Sequence, residues 1–126
     1  MPRVLVIEDD AVNRMLLECQ LEDLGCEIDR APDGAVGLEM VQLVRPDVIV
    51  LDLNMPQVGG LAFLRTLRGM ARGADIPVVV VTAAMMDKAL QSQLVALDVR
   101  RTFSKGSYNS SELMAAVGSL LRMGAK

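Results

Sequence analysis

The chain of 126 residues contains no histidine. It therefore cannot form a Ser-His or Cys-His catalytic pair, use a histidine general base or build a histidine-based zinc site. Tryptophan is also absent, and the aromatic residues are two phenylalanines and one tyrosine. So few aromatic rings argue against a function in base stacking on nucleic acid.

Basic clusters and long apolar segments are lacking as well. The formal net charge is −3, and the only adjacent basic pair is Arg100-Arg101, so we expect no direct contact with nucleic acid. No basic N-terminal region leads into an apolar segment, and the longest apolar run, residues 77–86, is shorter than the roughly 20 residues of a membrane span. We expect a cytoplasmic protein without membrane association.

The two cysteines, Cys19 and Cys26, do not have C-x-x-C spacing. Because both lie in apolar segments, we expect two buried thiols rather than a bridge. The composition is that of a soluble globular protein, with 52% hydrophobic and 23% charged residues. The length corresponds to one domain of about 100–150 residues, and we expect residues 1–126 to form a single domain.

Apolar runs and helical stripes alternate along the chain. Runs of β-branched and aliphatic residues at 4–7, 48–51 and 78–81 predict strands buried on both faces, and 27–31 and 100–104 predict two weaker strands. Five helical stripes lie between and after them: Leu17, Leu21 and Leu24; Val36, Met40 and Leu43; Leu61, Leu64 and Leu67; Leu90, Leu94 and Leu97; Leu113, Val117 and Leu120. Gly25 and Pro46 end the first two helices, and Asn109, Ser110 or Ser111 caps the fifth.

This fivefold β-α alternation predicts an α/β fold with a doubly wound, parallel five-stranded sheet. The flavodoxin-like strand order 2-1-3-4-5 is the natural candidate. In that order the ligand site lies beyond the carboxyl ends of strands 1 and 3, where the chain reverses its direction of winding.

Acidic residues follow both of these strands. Strand 1 ends in Glu8-Asp9-Asp10, and strand 3 ends in Asp52. Carboxylates a few ångströms apart repel one another, and Mg²⁺, which prefers oxygen ligands, relieves that repulsion. The alternative is that each acid only caps the following helix, and we favour this alternative for Asp10.

Strand 4 ends in Thr82, and strand 5 is followed by Lys105. Taken alone, Thr82 could be the N-cap of the fourth helix and Lys105 a solvated side chain. Taken with the acids, a hydroxyl and an ammonium group suit a phosphoryl site, where both can offset charge on the transferred oxygens. Asp52, at the end of the central strand, is the best candidate nucleophile.

These motifs resemble the receiver domain of two-component response regulators, in particular the single-domain chemotaxis type. The resemblance covers about residues 3–121. It rests on VLVIEDD at 4–10, VLDLNMP at 50–56 followed by Gly59-Gly60-Leu61, VTA at 81–83 and Ser104-Lys105. Each motif is weak alone, but the four in this order form a specific signal.

The resemblance implies that Asp52 accepts a phosphoryl group from a histidine of a partner kinase or histidine phosphotransfer protein. It implies that Asp9 and Asp52 bind Mg²⁺ directly together with the backbone carbonyl of Asn54, and that Glu8 acts through a metal-bound water. The chain would assist its own phosphorylation and dephosphorylation without being a metabolic enzyme.

The resemblance also implies an output mechanism. Thr82 and Lys105 would contact the phosphoryl oxygens, and Thr82 would move toward the phosphate. The face formed by helix 4, strand 5 and helix 5 would then be remodelled for a downstream effector, as a shift in a pre-existing equilibrium. We expect a monomer or a weak dimer with no output domain within these residues.

The sequence departs from the family pattern at two positions. Gly106 stands where the family usually has proline after the lysine, so the loop that carries Lys105 is expected to be looser or differently placed. Thr102 stands at the position of the usual aromatic switch residue, while Phe103 has the opposite strand parity and is expected to face the core. Tyr108 lies beyond the lysine and does not match that position.

Three alternatives remain open at the level of sequence. A degenerate receiver would act as a phosphorylation-independent interaction module, and Mg²⁺ binding would discriminate against it. An aspartyl phosphatase using Asp52 usually needs a second acid two residues later, where this chain has Asn54. The chain could also be cut from a larger kinase or transcription factor.

Overall fold

The computed structural model describes residues 2–53, 59–83 and 86–124, in which five strands alternate with five helices. The elements are β1 (Arg3–Ile7), α1 (Ala11–Leu21), β2 (Glu27–Ala31), α2 (Gly34–Val44), β3 (Val48–Leu51), α3 (Gly60–Gly69), β4 (Val78–Thr82), α4 (Lys88–Ala96), β5 (Val99–Ser104) and α5 (Ser110–Gly124). A 3-10 turn at Glu22–Leu24 extends α1. Among the helices in these ranges, none combines the length and the apolar character that a membrane crossing requires.

The five strands form one parallel sheet in the order β2-β1-β3-β4-β5, which confirms the predicted topology. β1 and β3 are neighbours in register, with Ile7 opposite Leu51. The residues that follow these two strands are therefore adjacent at one edge of the sheet. β5 begins one residue earlier than predicted, because a bulge opposite Val78 and Val79 takes up Arg100 as an extra residue.

Alternate side chains of the strands face two separate hydrophobic layers. One layer joins the sheet to α1 and α5; its buried members include Val6, Val50, Val81, Phe103, Leu17, Leu21, Leu113 and Val117. The other joins the sheet to α2, α3 and α4; its buried members include Ile7, Ile49, Leu51, Val80, Val41, Phe63, Leu64, Leu67 and Leu94. Phe103 faces the core as its parity predicted.

Short polar side chains cap the helices where the loops enter them. Asp10 accepts a hydrogen bond from Val12 N, which confirms its predicted capping role. Asp87 caps α4 by accepting from Leu90 N, so the alternative role of Thr82 as that cap is wrong. Asn109 accepts from Glu112 N in the first turn of α5.

The predicted stripe of α2 is wrong at Leu43, whose side chain is exposed. The innermost residues of this helix are Gly34, Gly37 and Val41 instead. A side chain at Gly37 would collide with Ile7 of β1 and Phe63 of α3, so α2 approaches the sheet and α3 closely at this glycine. Apolar periodicity does not detect such a face, because glycine contributes no apolar side chain to the pattern.

The expectation of two buried thiols is wrong for Cys19, which is exposed, and Cys26 is partly buried. Neither thiol is in a disulfide. The helical period explains the exposure of Cys19: α1 buries Leu17 and Leu21, and position 19 lies two residues, or roughly 200° around the helix, from each.

Gly60 allows α3 to begin close to the end of β3. Its N–H donates to Leu53 O at 3.0 Å, and a Cβ atom at this position would lie 2.5 Å from Leu53 Cα. The close approach excludes any larger residue without a backbone shift. Gly60 therefore fixes the start of α3 against the segment that immediately follows Asp52.

Candidate functional site

Three carboxylates meet beyond the carboxyl ends of β1 and β3. Glu8, Asp9 and Asp52 each offer an oxygen atom, and these atoms all lie within 4.8 Å of one another. Backbone hydrogen bonds continue past the strands, from Glu8 N to Ala31 O and from Asp52 N to Ile7 O. The cluster is thus a direct product of strand order and register, as the sequence predicted.

The three carboxylates differ in their exposure. Glu8 is 0% exposed and Asp52 is 3% exposed, whereas Asp9 lies at the surface. The site is therefore open to solvent at Asp9, while Glu8 and Asp52 are buried.

Lys105 supplies the positive charge of the site. Its Nζ atom lies 2.7 Å from Glu8 Oε1 and 3.4 Å from Asp52 Oδ2. Its backbone N–H donates to Thr82 O at 2.8 Å, which continues the pairing of β4 with β5 beyond the strand end. Glycine at position 106 therefore does not prevent the lysine from reaching the acids.

Burial of Glu8 changes its protonation. Desolvation raises the pKa of Glu8 to about 7, and the nearby Asp52 charge acts in the same direction, while the hydrogen bond from Lys105 opposes both. For Lys105, burial alone lowers the pKa, but the hydrogen bond to Glu8 and the attraction of Asp52 outweigh it and leave the pKa raised. Glu8 therefore holds its proton to a higher pH than a solvated glutamate does, while Lys105 stays charged beside it.

Thr82 ends β4 and is fully buried, opposite Ser104 of β5. Its position follows from the register: Leu51 pairs with Val80, so Asp52 and Thr82 lie one and two residues beyond that pair on neighbouring strands. Thr82 therefore lies on the same edge of the sheet as Asp52. Asn54, whose backbone carbonyl is a predicted metal ligand, lies outside the described residues.

On the face formed by α4, β5 and α5, β5 lacks the aromatic residue of the family pattern, as the sequence predicted at Thr102. Thr102 is exposed and lies with Ser104 on a cavity of about 300 Å³ between β5 and α4, which Leu94, Val95 and Val99 also line. Phe103 points to the opposite layer, so β5 presents no aromatic ring to this cavity.

Sequence reasoning missed two contacts near the site. The Nη1 atom of Arg14 donates to Glu8 O at 2.8 Å, and this bond joins α1 to the residue that follows β1. The Tyr108 hydroxyl donates to Gln20 Oε1 at 3.0 Å, which links the β5–α5 loop to α1. No sequence motif predicts either contact, since both depend on the packing of separate elements.

The donor set fits a hard divalent cation. Carboxylate oxygens are the ligands that Mg²⁺ prefers in proteins, and the ion usually keeps several waters in its octahedral shell. The placement of three carboxyl groups beside one lysine is a second reason to expect a cation here. Glu8, Asp9 and Asp52 are the described residues that could hold it.

Comparison with known proteins agrees with this geometry. The family model described as "Response regulator receiver domain" matches residues 4–118. This chain belongs to the response regulator receiver domain family. Members of the family are phosphoacceptor switches rather than metabolic enzymes, and they bind Mg²⁺ through acidic residues.

Relatives of the receiver domain occur in several bacteria. The chain is 34% identical over 123 residues to the DNA-binding dual master transcriptional regulator RpaA of Synechocystis, covering 97% of this chain and 50% of that protein. It is 35% identical over 121 residues to the response regulator MprA of Mycobacterium tuberculosis, covering 95% and 50%. The chain thus spans about half the length of these curated relatives.

Solved receiver structures have the same fold. The chemotaxis protein CheY4 of Vibrio cholerae superposes with a TM-score of 0.86 at 26% identity, covering 96% of this chain and 99% of that one. A response regulator receiver protein from Pseudomonas putida superposes with a TM-score of 0.85 at 27% identity, covering 94% and 96%.

Proposed function

We propose that this receiver accepts a phosphoryl group on Asp52 from a phosphohistidine of a partner kinase or histidine phosphotransfer protein. One observation carries the proposal: the Asp52 carboxylate lies in a cluster with Glu8 and Asp9, and Lys105 Nζ is 3.4 Å from its Oδ2 atom. A carboxylate in this position has the ammonium group of Lys105 beside it and is accessible from the exposed side of the site, at Asp9. That combination suits a nucleophile that must receive an anionic group.

Magnesium is the cofactor that we assign to the site. Asp9 and Asp52 would bind it directly with the backbone carbonyl of Asn54, and Glu8 would act through a metal-bound water. When bound, the ion would neutralise part of the negative charge of the carboxylates and of the phosphoryl oxygens. Glu8 is fully buried and already accepts a hydrogen bond from Lys105, which supports its more remote role.

The transfer step requires little of the protein beyond positioning and charge. A carboxylate oxygen of Asp52 forms a bond to phosphorus while the phosphorus–nitrogen bond to the partner's imidazole breaks. The electron pair of that bond remains on the imidazole nitrogen, which takes up a proton from solvent. Lys105 offsets charge on the transferred oxygens, and Thr82 donates its hydroxyl hydrogen to one of them.

Phosphorylation would then act on a downstream effector through the face of α4, β5 and α5. A phosphoryl group that is bound better in the active arrangement shifts an existing equilibrium toward it. Because Thr102 replaces the aromatic residue on this face, the change would depend on Thr82, the β4–α4 loop and α4 rather than on a ring that rotates. We further propose that residues 1–126 form one receiver domain that is monomeric or weakly dimeric.

Mass spectrometry tests the proposal directly. Wild type incubated with Mg²⁺ and acetyl phosphate, a small phosphodonor, should gain one phosphoryl group, and Asp52→Asn should gain none. Asp10→Asn is the matched control, because Asp10 caps α1 beside the cluster and asparagine also caps helices. No added group on wild type, or an equal signal in Asp52→Asn, would overturn the assignment.

The alternative of a degenerate receiver makes a different prediction. Such a module would dock to its partner without phosphorylation and would not need an intact cation site. Mg²⁺ titration separates the two, since the proposed switch must bind the ion through its acids. The position of Lys105 between Glu8 and Asp52 favours the phosphorylated switch.

A further inference from the structure

The loop between β5 and α5 holds Lys105 by contacts that differ from those of a proline-containing loop. Gly106 follows the lysine with φ of +83°, a left-handed conformation that proline cannot adopt. Two bonds close the turn on Ser104 O, one from Ser107 N at 3.1 Å and one from Ser107 Oγ at 3.2 Å. These bonds are local, and none of them joins the loop to another helix.

Tyr108 provides the link to a distant element. Its hydroxyl donates to Gln20 Oε1 on α1 at 3.0 Å, across 88 positions of sequence. Its ring packs against Phe103 with 5.5 Å between the ring centroids. Tyr108 is therefore anchored at both ends, by the core at its ring and by α1 at its hydroxyl.

This link lies next to the proposed phosphoryl site. A cavity of about 220 Å³ has Gln20 and Tyr108 on its wall together with Glu8 and Lys105. α1 begins immediately after the acids of β1, and Arg14 ties it to Glu8 O. The Tyr108–Gln20 bond consequently joins the segment that carries Lys105 to the segment that carries Glu8 and Asp9.

We propose that Tyr108 is a positioning residue that, through its hydrogen bond to Gln20 of α1, holds the β5–α5 loop so that Lys105 reaches Asp52. The inference rests on the proposed function and adds a part that the family motifs do not contain. Lys105 ends in a flexible four-carbon stem, so the position of its backbone decides how often the ammonium group lies beside Asp52. With Gly106 in place of proline, the loop needs a restraint from outside itself.

The first measurement does not depend on phosphorylation. Backbone hydrogen exchange at Lys105 and Ser107 should become about two- to tenfold faster in Tyr108→Phe, which keeps the ring and loses the hydroxyl, and in Gln20→Leu, which removes the acceptor. Ser107→Ala is the matched control, because it removes a hydroxyl of the same loop whose described hydrogen bond is local, to Ser104 O; exchange at Lys105 should stay as in wild type. Unchanged exchange in both Tyr108→Phe and Gln20→Leu would overturn the inference.

The second measurement separates positioning from general stability. At saturating Mg²⁺ and a fixed acetyl phosphate concentration, Tyr108→Phe should slow phosphorylation by about two- to tenfold. The same substitution in a Lys105→Met background should cause no further loss, because the group it positions is gone. Mg²⁺ affinity should be the same in Tyr108→Phe and in wild type.

The outcomes distinguish the two proposals. If wild type accepts no phosphoryl group, the proposed function fails and the inference fails with it. If wild type is phosphorylated on Asp52 but Tyr108→Phe slows the reaction equally with and without Lys105, only the positioning role is wrong. Loss of the effect in the Lys105→Met background, together with faster loop exchange, supports the inference.

Discussion

Glu8 is the residue whose protonation the site changes most clearly. Its carboxyl group is completely buried, and two further carboxylates lie within reach of its oxygens. Desolvation and the neighbouring Asp52 raise its pKa to about 7, although Lys105 donates a hydrogen bond to it. The negative charge of Glu8 therefore lowers the stability of the folded protein, and a bound cation would reduce this loss.

This cost predicts a pH dependence for the metal-free protein. Because the pKa of Glu8 is raised in the fold from 4.5 to about 7, its contribution to stability is fully present below pH 4.5 and is lost as the pH rises through 7. The free energy of unfolding of Glu8→Gln minus that of wild type should therefore be about 1–3 kcal/mol larger at pH 8 than at pH 4.5. Urea denaturation at both pH values, in chelator, measures this gain.

Two comparisons make the measurement specific. Glu39→Gln, a substitution of an exposed glutamate on α2, should show no such gain between the two pH values. A difference between Glu8→Gln and wild type that stays constant with pH would contradict a raised pKa of Glu8.

At the scale of elements, Arg68 of α3 joins three segments at the edge of the sheet opposite the acids. Its guanidinium group donates to backbone carbonyls in the segment before β4 and in the α4–β5 turn; the acceptors are Gly73, Ala74, Ile76, Leu97 and Asp98. The shortest of these bonds is 2.7 Å, to Ile76 O. One side chain thereby fixes the carboxyl end of α4 relative to α3.

Arg68→Met should lower the free energy of unfolding by about 2–4 kcal/mol, because several carbonyls lose a charged donor at once. Arg65→Met is the matched control on the same helix, since Arg65 is exposed and, within the part of the chain that the structure describes, makes a single side-chain hydrogen bond, to Gln93. We expect a loss of at most about 0.5 kcal/mol there. Chemical denaturation of both variants tests the difference, and equal losses would show that the Arg68 bonds contribute little.

At the scale of the whole molecule, the sheet brings together acids that are far apart in sequence. Glu8 and Asp9 follow one strand, Asp52 follows its neighbour, and the register between Ile7 and Leu51 makes the two ends level. Folding therefore concentrates negative charge, and a cation that binds only the folded chain stabilises it by mass action.

Magnesium should consequently raise the thermal midpoint of the wild-type protein. At about one hundred times the dissociation constant, the gain is roughly 2.7 kcal/mol. Asp9→Asn removes an exposed ligand and should lose most of this response, whereas Asp10→Asn should respond as wild type does. Thermal unfolding with and without Mg²⁺ measures the effect, and a wild type that does not respond would favour the degenerate receiver.

Sequence reasoning succeeded where a local pattern and the sheet topology determine the outcome. Strands buried on both faces appear in the sequence as continuous apolar runs, and the β-α alternation predicts a parallel sheet, for which 2-1-3-4-5 was the natural order. The meeting of the acids of β1 with Asp52 then follows from topology alone. Apolar periodicity fails at Leu43, which is exposed, because the inward face of α2 is formed by Gly34, Gly37 and Val41.

The sequence by itself determined the sheet, its winding and the chemistry of the strand ends, since period and residue type are local properties that survive into the fold. Only the tertiary structure decided that Glu8 pairs with Lys105, that Arg68 binds carbonyls of the α4–β5 turn, and that Tyr108 reaches Gln20. Such contacts depend on where separate elements pack and how far side chains extend. Neither quantity has a signature along the chain.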